Sequence, residues 1–147
     1  MAVEALVEAL SNPALWIAAW AGGAFGAALG APPAFCFTGF MVVAGEASNL
    51  ATKAIAGELA AIQGQIGTGI TGSVAFGPVF GPHISFAGGA AAAAYAARKG
   101  YMDTGFDYHE AKNIAYALGT KPDVLAVGGV FGILGMLIRQ ISFNFGV

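Results

Sequence analysis

Three stretches of this chain contain no Asp, Glu, Lys or Arg: residues 14–45, 59–97 and 124–138. A helix of about 20 apolar residues crosses the hydrocarbon core of a bilayer. The third stretch, with the residues after it, has the length of one span. The first two are too long for one span and short for two, and each holds prolines, Pro32-Pro33 in one and Pro78 and Pro82 in the other. Proline removes a backbone donor and its ring clashes with the preceding turn. Each of these stretches therefore reads as a helix, a break and a second helix. The breaks are either turns at the membrane surface or irregular backbone at membrane depth, which survives only when buried in protein or lining a cavity. The expected fold is an all-α integral membrane protein with four to five transmembrane or re-entrant helices.

Composition agrees. Charged residues make up 10% and hydrophobic residues 57%, where a soluble domain carries about 25% charged residues. Glycine accounts for 23 of 147 residues, roughly double its usual share of about 7%. The Phe, Trp, Leu, Ile and Val content supplies enough apolar surface to exclude a disordered chain. The net charge of −2 comes with no basic stripe, which argues against a nucleic-acid partner. The one cysteine, Cys36, excludes an intramolecular disulfide and reads as a small apolar residue between Phe35 and Phe37.

The chain divides as one membrane domain over residues 1–147. In residues 1–12, Val3, Leu6, Val7 and Leu10 share a helical face with Glu4 and Glu8 beside it. This is an amphipathic helix that lies at the membrane interface or packs on a neighbouring chain. It has no basic start of the kind a signal peptide carries. Residues 13–45 form the first broken apolar segment, 46–62 a polar amphipathic helix, 63–97 the second broken segment, 98–123 an aqueous loop and 124–147 a C-terminal transmembrane helix. Arg98, Lys99, Lys112 and Lys121 place the loop 98–123 on the cytoplasmic side of a multi-pass cell-membrane protein.

The two breaks recur at an offset of 49 residues, since Gly23–Gly39 aligns without a gap on Gly72–Gly88. The shared core is Pro-x-(Phe/Ile)-(Cys/Ser)-Phe-(Thr/Ala)-Gly, starting at Pro33 and at Pro82. A weaker third copy runs from Gly128 to Asn144, with Arg139 in the proline position. Repeated segments are frequent in transporters, where the site lies at the repeat interface. The plainer alternative is that packed membrane helices reuse small residues.

Candidate residues follow from this frame. Gly22, Gly26 and Gly30 are spaced by four, as are Gly128 and Gly132, so each set falls on one helical face and permits close backbone approach. Such faces build an oligomer, a pore wall or an intrachain contact. A helix starting after Pro33 or Pro82 points free N–H groups at the break, a partially positive patch suited to an anion or polar solute. Phe35, Phe37, Phe86 and Phe143 would form an apolar constriction there, with Thr38, Ser85 and Asn144 as polar groups on the pathway. The alternative places proline in the first turn of an ordinary span. His83, inside an uncharged stretch, either relays protons or bonds a solute, or is a neutral histidine bonded to a carbonyl freed by proline. Glu46 and Lys53 line a vestibule or anchor at the interface. Arg139 snorkels to an interface or pairs with a carboxylate such as Glu46.

Two separated histidines without a cluster give no metal site. The chain has no GxSxG, no Walker loop and no paired-carboxylate motif, and Gly22-Gly23-x-x-Gly26 is no dinucleotide fingerprint, since neither the preceding strand nor the later acidic residue is there. No enzyme activity and no cofactor are expected. The expected function is a small oligomeric channel or transporter in the lipid bilayer, passing a small neutral molecule or an anion. It would associate with copies of itself or with other membrane subunits. The alternative is a non-transporting membrane subunit that anchors or assembles a larger complex.

Overall fold

The computed structural model describes residues 2–56, 70–102 and 110–146, and these are mostly helical with no strand among them. The end of the expected 46–62 helix, the start of the second broken segment, the Lys53 side chain and His109 lie outside the described residues. Helix α1 spans Ala2–Leu10, α2 Pro13–Leu29, α3 Ala31–Ala56, α4 Ser85–Lys99 and α5 Pro122–Phe145, with a π-helical turn over Ile70–Ala75.

Local chemistry sets the boundaries. The Asn12 side chain accepts from the Ala14 N–H at 3.1 Å and Pro13 fills the first helical position, so α2 starts capped. Its end is set by Gly30, whose φ of +100° is a conformation that a side chain would strain. Helix α4 stops in the same manner at Gly100, with φ +76°.

The expected segments are redrawn here at two places. First, the break expected in residues 13–45 falls at Gly30, just ahead of Pro32 and Pro33. They sit in the first turn of α3, where a missing N–H costs nothing, because Gly30 has already ended α2. Second, α3 runs on past Glu46 to Ala56, so the polar stretch is not a separate helix: an isolated charge does not stop a helix. Helix α5 passes through Arg139 unbroken, in line with the single helix expected over 124–147, so the third, weaker copy of the repeat carries no break.

Span length follows. At 1.5 Å per residue, α3 (26 residues) and α5 (24 residues) extend about 39 and 36 Å, while α2 (17) and α4 (15) extend about 25 and 22 Å. Only α3 and α5 are long and apolar enough to cross a membrane among the described residues.

Helices α2, α4 and α5 pack around one another through glycine. Gly23, Gly88 and Gly128 meet at a common waist. A Cβ on Gly23 would overlap the Gly128 carbonyl, and one on Gly88 would stand 2.5 Å from the Gly23 oxygen and 2.7 Å from the Gly128 oxygen. Gly132 closes on Ala19 and Gly23, and Gly26 on the Ser85 carbonyl. These pairings make α5 antiparallel to α2 and α4, and α4 parallel to α2. Gly30 does not join this face. It is the corner between α2 and α3, pressed against the Ala115 carbonyl.

Apolar clusters lie on either side of the waist. At one end Ala27, Ala92, Ala96, Met102, Leu118 and Val124 are buried together; at the other Ala19, Ile84 and Met136 are buried, with Leu10, Leu15 and Trp16 packed against them. Helix α1 is tied there by the Trp16 indole N–H, which donates to the Leu10 carbonyl at 2.7 Å. Val3 and Val7 of α1 stay exposed. The stretch 98–123 is not wholly aqueous either: Met102, Glu110 and Leu118 are buried, and the Ile114 carbonyl accepts the Ala31 N–H at 2.7 Å. Asp123 accepts from the Tyr101 hydroxyl at 2.8 Å and from Tyr95 at 3.1 Å, which fastens α4 and its exit to the start of α5. That bond to Asp123, then burial, holds the Tyr101 phenol above its ordinary pKa.

The waist predicts a contrast between two glycines. Gly23→Ala should destabilise the protein by about 1–3 kcal/mol, since backbone rather than a flexible side chain must move. Gly39, in α3, has open space around its Cβ position, so Gly39→Ala should be neutral or stabilising by up to about 1 kcal/mol through helix propensity. Denaturant unfolding in detergent, followed by circular dichroism, checks both.

Candidate functional site

Between the π-helical turn and α4 the backbone is not helical. Residues 76–84 carry Phe-Gly-Pro twice, Phe76-Gly77-Pro78 and Phe80-Gly81-Pro82. Proline cannot donate and glycine resists helix, so four residues apart they keep the segment as turns. The segment is partly inside the molecule: Gly77, Gly81 and Ile84 are buried. Its backbone groups therefore need partners.

Two hydroxyls supply them. Thr38, from α3 and almost fully buried, donates to the Phe80 carbonyl. Ser85, fully buried at the start of α4, lies 3.2 Å from the Gly81 carbonyl and 3.4 Å from that of Phe80. The Ile84 and Ser85 N–H groups donate to the Gly81 carbonyl at 3.0 and 2.9 Å, and Ala87 N–H to that of Pro82 at 3.3 Å. Around Phe80 the rings gather: Phe25 meets Phe37 and Phe80 edge-on at 5.3 and 5.5 Å, and Phe37 stacks on Phe80 at 6.3 Å.

The sequence candidates thus separate into groups. Thr38, Ser85 and Phe37 are brought together on Phe80, a residue the sequence reading did not single out, although the tandem Phe-Gly-Pro marked it. Phe86 pairs instead with Phe35, at 6.3 Å. Phe143 does not join any of them: it is 71% exposed and lies under the Arg139 guanidinium, 5.1 Å from ring centre to Cζ. A single constriction of four phenylalanines is not formed. At the start of α3 the expected patch of N–H donors is absent, because Pro32 and Pro33 have none, Ala31 donates to Ile114 and Ala34 to Gly30. Glu46 does not reach Arg139; its carboxylate accepts from the Thr71 hydroxyl at 3.3 Å.

His83 and Arg139 come together in an unforeseen way. They line one cavity of about 230 Å³, between residues 72–84, the start of α2 at Leu15 and the last turns of α5. Ser73 and Gln140 add polar groups to it, and Leu15, Ile84 and Met136 add apolar ones. Glycine seats His83 there: a Cβ on Gly135 would overlap the His83 carbonyl, and one on Gly81 its imidazole. Asn144 touches the site indirectly, donating to the Gln140 carbonyl at 2.8 Å and to its Oε1 at 3.4 Å.

Residues 5–147 match the model of a family of unknown function, DUF7973. The chain belongs to that family. No curated protein and no solved structure matches it. Polar groups gather at both ends of the described bundle: Tyr95, Tyr101 and Asp123 where α4 finishes and α5 begins, and Thr38, Ser85, His83 and Arg139 around the proline-broken stretch at the other end.

The shared carbonyl leads to a prediction. Thr38→Val leaves the Phe80 carbonyl with only the long Ser85 contact and should cost about 1–3 kcal/mol, while Thr38→Ser should cost less. In a double-mutant cycle with Ser85→Ala, the two effects should not add, because both hydroxyls serve one acceptor. Unfolding free energies of the four proteins test this.

Proposed function

We propose that this protein is a small, oligomeric membrane channel or transporter for a small solute. The observation that carries the reading is a polar cavity beside proline-broken backbone, in a bundle whose helices meet through Gly and Ala. Irregular backbone of this kind persists in an apolar surrounding only when protein satisfies it or a cavity borders it. Here Thr38 and Ser85 do the first and the His83–Arg139 cavity supplies the second.

The distribution of apolar residues supports a bilayer as the surrounding. Large side chains point outward: Phe40, Val43 and Leu50 on α3 and Val130, Leu134, Ile138 and Ile141 on α5 are exposed. Small ones point inward, at Gly23, Gly88, Gly128 and Ala92. Water-soluble proteins bury the large ones for hydrophobic gain, whereas in lipid that gain disappears and close packing of small residues holds helices together. On this reading α3 and α5 cross the membrane, α2 and α4 reach partway, and the Lys- and Arg-bearing residues 98–123 face the cytoplasm. Two spans enclose little on their own, so association of copies completes a pathway.

A second reading, a non-transporting subunit that anchors or assembles a larger complex, is favoured by α3. Its outer face is broad and apolar, and Gly39 on it has nothing within 4 Å of its Cβ position, which leaves room for another helix.

Reconstitution separates the two. Proteoliposomes should pass at least one solute from a panel of small neutral molecules and anions faster than empty liposomes, and His83→Ala should change that rate several-fold. If no solute crosses faster than through protein-free vesicles, and the protein co-purifies with other membrane chains, the anchoring reading replaces the transport one.

A further inference from the structure

We infer that the cavity between α5 and the proline-broken stretch is a binding site for a small oxyanion of a few heavy atoms, such as formate or nitrate, held by Arg139, Gln140, His83 and Ser73. This deepens the solute-handling reading above and rests on it for the route the ion takes.

The cavity's chemistry selects charge first. Arg139 keeps its positive charge at any ordinary pH, and no carboxylate lines the cavity among the described residues. A cation there would face the guanidinium with nothing to offset it. An anion would meet a fixed opposite charge beside the apolar walls of Leu15, Ile84 and Met136, where the local dielectric is below that of water and the attraction is correspondingly larger.

Shape and hydrogen bonding select the oxyanion. The guanidinium is a planar fork that matches two oxygens of one group, and charge-assisted bonds of that kind are the strong ones. Gln140, whose Oε1 accepts from Asn144 at 3.4 Å, has an amide NH2 that can donate. His83 donates from at least one ring nitrogen in either protonation state, and the Ser73 hydroxyl donates as well. Four directional donors from α5 and from either side of the break suit an ion with several acceptor oxygens better than a spherical halide. A volume of about 230 Å³ accommodates such an ion with some of its water.

The positions also suit exchange. The Arg139 side chain is exposed and reaches over the Phe143 ring, near the end of α5, while His83 is half-buried at the other side of the cavity. The ion would meet Arg139 first and the break second.

Thermal unfolding of the purified full-length protein in detergent tests the site directly, with sodium formate, nitrate, chloride and gluconate compared at equal ionic strength. A ligand that binds only the folded protein raises its midpoint with concentration. Formate and nitrate should raise it in a saturable way, chloride less, and gluconate not at all. Arg139→Gln should weaken the half-saturating concentration about tenfold or more, the size of one lost charge-assisted hydrogen bond. Gln140→Leu, which leaves the charge in place, should weaken it by a smaller factor. Equal midpoints in all four salts, or an unchanged formate effect in both variants, overturn the inference. Liposome flux of formate and glycerol separates the two levels. Glycerol flux without formate binding or flux keeps the transport reading and removes the oxyanion. Saturable formate binding lost in Arg139→Gln, with no solute crossing, keeps the site and removes the transport reading.

Discussion

Backbone-to-backbone contact among Gly23, Gly88 and Gly128 sets the distance between α2, α4 and α5, and most other features depend on that distance. Each glycine presents a hydrogen where another residue would present Cβ, and that hydrogen is aimed at a carbonyl of the next helix, the geometry of a weak Cα–H···O contact. Individually such contacts contribute little. Their consequence is geometric: helices this close have no room between them for Leu or Phe. Many large apolar residues stand on the outer faces of α3 and α5, the waist itself is Gly and Ala, and the larger buried side chains, Ile84, Met136 and Val124, lie to either side of it with the hydroxyls of Thr38 and Ser85. The same proximity brings Gly135 against the His83 carbonyl, so the broken stretch is braced by α5 rather than hanging from its own ends.

Close packing explains why the broken stretch can be ordered. Residues 76–84 form turns rather than a helix, although the Gly81 N–H reaches the Gly77 carbonyl at 3.1 Å, and their remaining carbonyls need partners that an apolar surrounding does not supply. Thr38 reaches the Phe80 carbonyl from α3, and Ser85 reaches those of Gly81 and Phe80 from the first turn of α4. The phenylalanines at 25, 37 and 80 then fill the space outside these bonds with edge-on and stacked contacts. On the opposite side there is no such filling, and the His83–Arg139 cavity remains. One side of the break is therefore closed by hydroxyls and rings, and the other is open to a small polar guest.

Much of this was legible residue by residue, and little of it pair by pair. The four-residue glycine spacing marked contact faces on α2 and α5, and Gly30 was misassigned to one of them because spacing does not reveal a positive φ. The doubled proline at 32 and 33 looked like a break because proline's effect depends on where the helix begins, and Gly30 had already placed that beginning at Ala31. Glu46 looked like a boundary, but a solvated carboxylate on a helix surface is compatible with the helix running on. Thr38 and Ser85 were singled out as polar groups near breaks, whereas their common acceptor is a backbone carbonyl, which carries no residue-type signal. His83 and Arg139 stand 56 positions apart in the chain, and no local pattern pairs them.

The sequence by itself determined what depends on short-range chemistry: helical segments, their interruption by Gly and Pro, the faces made of small residues, and an apolar excess that ordinary soluble folding does not explain. Tertiary structure alone decided which carbonyl each hydroxyl satisfies, and that Arg139 and His83 share a cavity instead of Arg139 pairing with Glu46. The reason is that these outcomes depend on the register between antiparallel helices. That register is fixed where glycine backbones touch, a property of two segments at once that neither contains alone.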